Sequence, residues 1–112
     1  ERSTMELLKV FYRDVVGLTL GERPKLSSFG YWLYIGNKDV LHLSEAKPEE
    51  GRQENVATTF DHVAFTATDY AGMLERLDQL GVEYRTREIE SAGQKQIFLS
   101  DPAGNGIELN FC

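Results

Sequence analysis

Two histidines, His42 and His62, and one glutamate, Glu108, stand where strand periodicity puts each on the polar face of its strand. Side chains alternate faces along a strand. In residues 61–67 (DHVAFTA), Val63 and Phe65 take one face, while His62, Ala64 and Thr66 take the other. In residues 106–111 (GIELNF), Ile107, Leu109 and Phe111 oppose Glu108 and Asn110. In residues 40–44 (VLHLS), Leu41 and Leu43 oppose His42 and Ser44. The chain has 2 histidines, and both fall in this pattern. Two imidazoles and a carboxylate can bind a divalent metal, either zinc or non-haem iron with open coordination positions. Each residue taken singly also suits a hydrogen-bonded structural role, and spacing alone does not make the three converge.

The elements that must position them follow from local signals. Residues 3–16 carry Met5, Leu8, Phe11, Tyr12 and Val15 at helical spacing, with Ser3 and Glu6 as a capping box and Gly17 as the C-terminal cap. A short strand at 18–20 and a turn-rich loop at 21–30 come next. Residues 31–35 and 40–44 then read as two strands around Gly36-Asn37. The second half repeats this order. A strand at 61–66 leads into a helix at 70–80 with Met73, Leu74, Leu77 and Leu80 apolar, closed by Gly81. A strand at 82–85 follows, then a hairpin of 94–100 and 106–111 around Asp101-Pro102-Ala103-Gly104-Asn105.

Both halves therefore read as one unit, strand–helix–strand–strand–strand. Trp32 precedes His42 by the same interval as Phe98 precedes Glu108. The first half lacks an opening strand, whose place counts back to before residue 1. Hairpins centred near Asn37 and Ala103 put Trp32 opposite His42 and Phe98 opposite Glu108. Tyr34, Gln96 and Asn110 share that face, so Trp32, Tyr34, Gln96, Phe98 and Asn110 are the candidate walls of a small-molecule cavity. The same aromatics also suit plain core filling or a dimer interface. Arg85 and Arg87 form a basic spot that suits either a substrate carboxylate or a solvated strand edge. The expected division is a single domain over 1–112, with a first, incomplete module at 1–45, a charged linker at 46–58 and a second module at 59–112.

Composition bounds the class. The chain has 112 residues, 12 Lys+Arg against 18 Asp+Glu and a net charge of −6. That balance argues against nucleic acid and anionic membrane partners. No apolar run is long enough for a membrane span. The one cysteine, Cys112, excludes an internal disulfide and is expected to be chemically silent. A cytoplasmic protein is the expectation.

The segments FYRDVVGL, GYWLYIG, VLHL, DHVAF and IFLSDPAGNGIELNF together resemble the vicinal oxygen chelate superfamily (glyoxalases, bleomycin- and fosfomycin-resistance proteins and extradiol dioxygenases). The resemblance covers nearly the whole chain. It implies an α+β fold of paired βαβββ modules forming a cupped mixed sheet with helices outside. It also implies a homodimer and a divalent metal (Fe, Mn, Ni or Zn) held by residues of opening and closing strands. His62 matches the opening strand of the second module, Glu108 its closing strand and His42 the closing strand of the first. On this reading His62, Glu108 and His42 are metal ligands, with His42 and Glu108 the catalytic groups. The implied function is a metal-dependent, glyoxalase-like lyase, isomerase or dioxygenase acting on a small substrate through vicinal oxygens. A non-catalytic binding or resistance protein is the alternative. The chain departs from glyoxalase I proper at His42, where a carboxylate stands. It departs from extradiol dioxygenases at Phe98, where a tyrosine stands.

Overall fold

The computed structural model describes residues 2–50 and 60–112. It divides into two compact units, Glu1–Glu54 and Asn55–Cys112. Residues 51–58 of the expected linker and residue 59 of the expected second module lie outside the described residues.

The first unit opens with α1 (Arg2–Val10), which widens over Phe11–Val16 into π-type hydrogen bonding. The single helix expected over 3–16 is thus two segments, and Ser3 lies inside the helix and not at its cap. The widening ends at Gly17 (φ 97°), whose N–H reaches the Tyr12 carbonyl five residues back, joined there by the Leu18 N–H. The wider turn lets the adjacent rings of Phe11 and Tyr12 both be buried with Val15, in an edge-to-face pair 5.3 Å apart. Met5, Leu18 and Leu33 complete this core, and Leu8 is half-buried. The Glu6 carboxylate engages Lys9 and the Tyr31 hydroxyl. Those two partners hold it below the usual carboxylate range.

Three antiparallel strands follow in the order β1-β2-β3: β1 (Thr19–Gly21), β2 (Gly30–Ile35) and β3 (Lys38–Ser44). The hairpin turns at Gly36 (φ 61°), pairing Ile35 with Lys38 and Tyr34 with Asp39. A tight turn continued in that register would set Trp32 opposite Leu41. The register shifts between Leu33 and Tyr34, leaving Val40 as an extra residue, so that Trp32 pairs with His42. The bulge restores the pairing that a hairpin centred at Asn37 predicts.

The second unit has the full βαβββ order: β4 (His62–Ala67), α2 (Tyr70–Leu80), β5 (Arg85–Ile89), β6 (Gln94–Ser100) and β7 (Gly106–Phe111). The strands lie in the order β4-β7-β6-β5, with β4 parallel to β7 and the other pairs antiparallel. Asp69 caps α2 by accepting from the Gly72 N–H at 3.1 Å, and Gly81 (φ 68°) closes it. Met73 and Leu77 pack with Ile97, Leu99, Ile107, Leu109 and Phe111, whereas Leu80, beside the closing glycine, is exposed.

The other strands lie within two residues of their expected bounds, and β5 departs furthest. Pairing of β5 with β6 begins at Arg85, opposite Phe98, and not at Val82. Residues 82–84 are a lead-in, tied back to the helix by the Tyr84 hydroxyl, which donates to Asp78 Oδ1 at 2.8 Å. Arg85 and Arg87 thus stand exposed on the sheet edge. Arg85 lies over the Phe98 ring, 5.5 Å from its centroid.

Candidate metal-binding pair and its surroundings

His62 opens β4 opposite Gly106, and Glu108 stands on β7 opposite Ala64. The two are diagonal neighbours on the same face, and His62 Nε2 lies 3.0 Å from Glu108 Oε1. Gly106 makes this possible. A Cβ there would meet the Asp61 carbonyl oxygen at 2.5 Å and His62 Cβ at 2.9 Å.

The glutamate is held firmly. Its side chain is 13% exposed, and its other oxygen accepts from Gln96 Nε2 at 3.1 Å. The same amide nitrogen donates to Asn110 Oδ1 at 2.9 Å. Gln96, Asn110 and Glu108 therefore form one polar cluster on the β6–β7 face, and Phe98 pairs opposite Glu108. Gln96 Oε1 is buried without a hydrogen-bond partner.

The other imidazole nitrogen, Nδ1, lies 2.6 Å from Asp61 Oδ2. The Asp61 carboxylate raises the His62 pKa above its ordinary value, partial desolvation opposes the rise, and Glu108 adds a further upward push. A raised histidine pKa stabilises the fold fully below the unfolded value and loses that contribution as pH rises through the folded value. In chelator-treated protein, an NMR titration should place the His62 midpoint above 6.5, the ordinary value. Asp61→Asn should lower that midpoint more than Glu108→Gln does. The reverse ranking would reject Asp61 as its main cause.

The donor chemistry and spacing fit a divalent cation. Donors about 2.1 Å from a shared ion, at a right angle, lie about 3.0 Å apart. The histidine is oriented through its second nitrogen by a carboxylate, as metal-ligating histidines commonly are. Among the described residues, no group of three His, Cys, Asp or Glu side chains gathers as a cation site, so the structure supplies a pair.

His42 belongs to the first unit. Its ring stacks on Trp32 with centroids 3.8 Å apart and planes within 4° of parallel. Its Nε2 lies 2.6 Å from Asp39 Oδ2, and this contact lowers the Asp39 pKa. With Nε2–H donated to Asp39, the Nδ1 lone pair is left for a proton or a metal. Trp32 and Tyr34 line a cavity of about 470 Å³ in this unit. Phe98 and Arg85 line one of about 700 Å³ in the second.

Face alternation locates the candidate residues, but it misses their partners. Asp39, three residues before His42, and Asp61, adjacent to His62, were visible as acidic neighbours of histidines. Gly106 was visible as the second glycine of Gly104-Asn105-Gly106. Its role depends on which residue of β4 lies beside it, which the sequence does not state.

Comparison with known proteins agrees with this architecture. The model of the Glyoxalase/Bleomycin resistance protein/Dioxygenase superfamily matches residues 3–109. The Arabidopsis thaliana protein named glyoxylase I 4 is 27% identical over 106 residues, which cover 91% of this chain and 61% of that protein. The chain thus spans less than two thirds of that relative's length. The crystal structure of lactoylglutathione lyase from Agrobacterium tumefaciens superposes with a TM-score of 0.64 at 23% identity, over 96% of this chain and 84% of that one. An antibiotic binding protein from Streptomyces sp. CB03234 superposes with a TM-score of 0.70 at 24% identity, over 95% of this chain and 84% of that one. At these identities the two structures speak to the fold, while the family model carries membership. With the βαβββ unit and the matched span together, the chain belongs to the glyoxalase/bleomycin resistance protein/dioxygenase superfamily.

Proposed function

We propose that this chain is a metal-dependent, glyoxalase-like enzyme for a small substrate that binds through vicinal oxygens. His62 and Glu108 are the metal ligands of its second module. The observation that carries the reading is the 3.0 Å approach of His62 Nε2 to a largely buried, amide-oriented Glu108. Holding a carboxylate out of water beside a histidine costs free energy unless a cation or proton shares the pair. A divalent ion there would polarise the substrate oxygens and stabilise an oxyanion as charge develops. Gln96 orients the glutamate and is a proposed wall of the substrate site. Phe98 and Asn110 flank it, and Trp32 and Tyr34 are the proposed aromatic contacts in the first unit. His42, in the first unit, is the proposed third ligand or general base, with its ring oriented by Asp39 through Nε2. A homodimer in the cytoplasm belongs to the same reading. No helix among the described residues is long and apolar enough to cross a membrane.

The test is elemental analysis of protein purified without chelator. About one equivalent of Fe, Mn, Ni or Zn is expected in the native protein, with at least a tenfold loss in the His62→Ala/Glu108→Ala double variant. Equal metal content in the two samples rejects the pair as ligands. A second reading, a non-catalytic binding protein, is favoured by the presence of a pair where a closed site needs more donors. Ligand binding unaffected by chelator, with no turnover in any metal-loaded form, would decide for it.

A further inference from the structure

A cleft in the first unit carries a recognition element that the metal pair does not use. Glu22, Arg23 and Pro24, in the loop after β1, line it together with Trp32 and Tyr34 of β2. The Arg23 guanidinium lies against Gly30, where a Cβ would stand 3.1 Å from Nη2 and 2.0 Å from the Leu43 carbonyl oxygen. Gly30, Trp32 and Tyr34 alternate onto one face of β2, so the guanidinium shares that face with both aromatic rings.

Ser28 fixes the arginine. Nη1 donates to the Ser28 carbonyl at 3.0 Å, and Nη2 contacts its hydroxyl at 3.1 Å. Nε is buried and has no hydrogen-bond partner. The aromatic walls are equally constrained. Trp32 is held flat against His42, and the Tyr34 hydroxyl donates to the Glu22 carbonyl.

We propose that this cleft binds a planar aromatic carboxylate, with the acid held by the Arg23 guanidinium and the ring against Trp32 and Tyr34. A guanidinium edge matches the plane of a carboxylate, and flat rigid rings favour a flat ligand. Glu22 in the same lining disfavours ligands of higher negative charge, phosphate dianions among them. The proposal rests on the reading of Trp32 and Tyr34 as substrate contacts and deepens it, and its test does not require a metal.

The chain has 1 tryptophan, so Trp32 emission reports on the cleft directly. The probes are 4-nitrobenzoate and its neutral analogue 4-nitrobenzamide, titrated into the full chain with and without EDTA. Saturable quenching is expected for both, about tenfold tighter for the acid. Arg23→Gln should erase that preference, and Arg23→Lys, which keeps the charge without the fork, should keep part of it. Glu22→Gln should tighten the acid alone. Equal affinities, non-saturating quenching or an acid preference surviving Arg23→Gln would overturn the proposal. If Arg23→Gln does not fold, Glu22→Gln decides, and unchanged acid affinity there overturns it. An acid preference that persists in EDTA stands even if the metal reading fails, so the two failures are distinguishable.

Discussion

Asp101→Ala is expected to lower unfolding stability by about 2–4 kcal/mol. Asp101 is 5% exposed although it lies in a turn. Its Oδ1 accepts from the Ala103 and Asn105 N–H groups, each at 2.9 Å, and its Oδ2 from Asn105 Nδ2 at 3.0 Å. Its backbone adds two further turn bonds, to the Asn105 carbonyl and from the Gly104 N–H. Removing the carboxylate strips acceptors from two backbone donors, and a donor left unpaired costs its full desolvation penalty. Asp101→Asn keeps one acceptor oxygen and should lose less than half as much. Urea unfolding followed by circular dichroism measures both. A loss below about 0.5 kcal/mol for Asp101→Ala would show that the turn does not depend on this side chain. The turn also fixes the register of β6 on β7, so the Phe98–Glu108 and Gln96–Asn110 pairings depend on it.

Gly106→Ala is the second large effect, and it couples the fold to the site. The added methyl would enter within 2.5 Å of the Asp61 carbonyl oxygen, a backbone atom that moves only with its strand. Overpacking of this kind costs about 1–3 kcal/mol. Relief requires β4 to shift along or away from β7, and that shift separates His62 from Glu108. The variant should therefore lose metal out of proportion to its modest loss of stability, which elemental analysis beside urea unfolding would reveal. Full metal content in a folded Gly106→Ala variant would mean that the pair tolerates displacement of its strands.

Much of the second unit was legible in the sequence. Helix α2 (70–80) and strands β6 and β7 fall where periodicity, Gly81 and the Asp101–Asn105 cluster put them. Hairpins centred near Asn37 and Ala103 also put Trp32 opposite His42 and Phe98 opposite Glu108, as the register has them. Other features were hidden for identifiable reasons. Val82 and Tyr84 alternate like a strand, but a strand needs a paired neighbour, and pairing begins at Arg85. The π-type turn at Phe11–Val16 changes which carbonyl each N–H reaches, not which residues are apolar. The Val40 bulge is invisible because a bulged and an unbulged hairpin use the same residues. The approach of Arg23 Nη2 to Gly30 is a contact across strand and loop that no local pattern encodes.

The central claim is that His62 and Glu108 share one divalent ion, and localising that ion tests it most directly. The two histidines give few, assignable signals in a long-range proton–nitrogen NMR spectrum of full-length, chelator-stripped protein. On adding Mn²⁺ below one equivalent, the His62 Nε2 signal should broaden first, and Glu108→Gln should abolish that broadening at the same concentration. If His62 stays sharp at one equivalent of Mn²⁺, and its shift is unmoved by Zn²⁺, Fe²⁺ or Ni²⁺ while the protein remains folded, the pair is an ion pair and not a metal site.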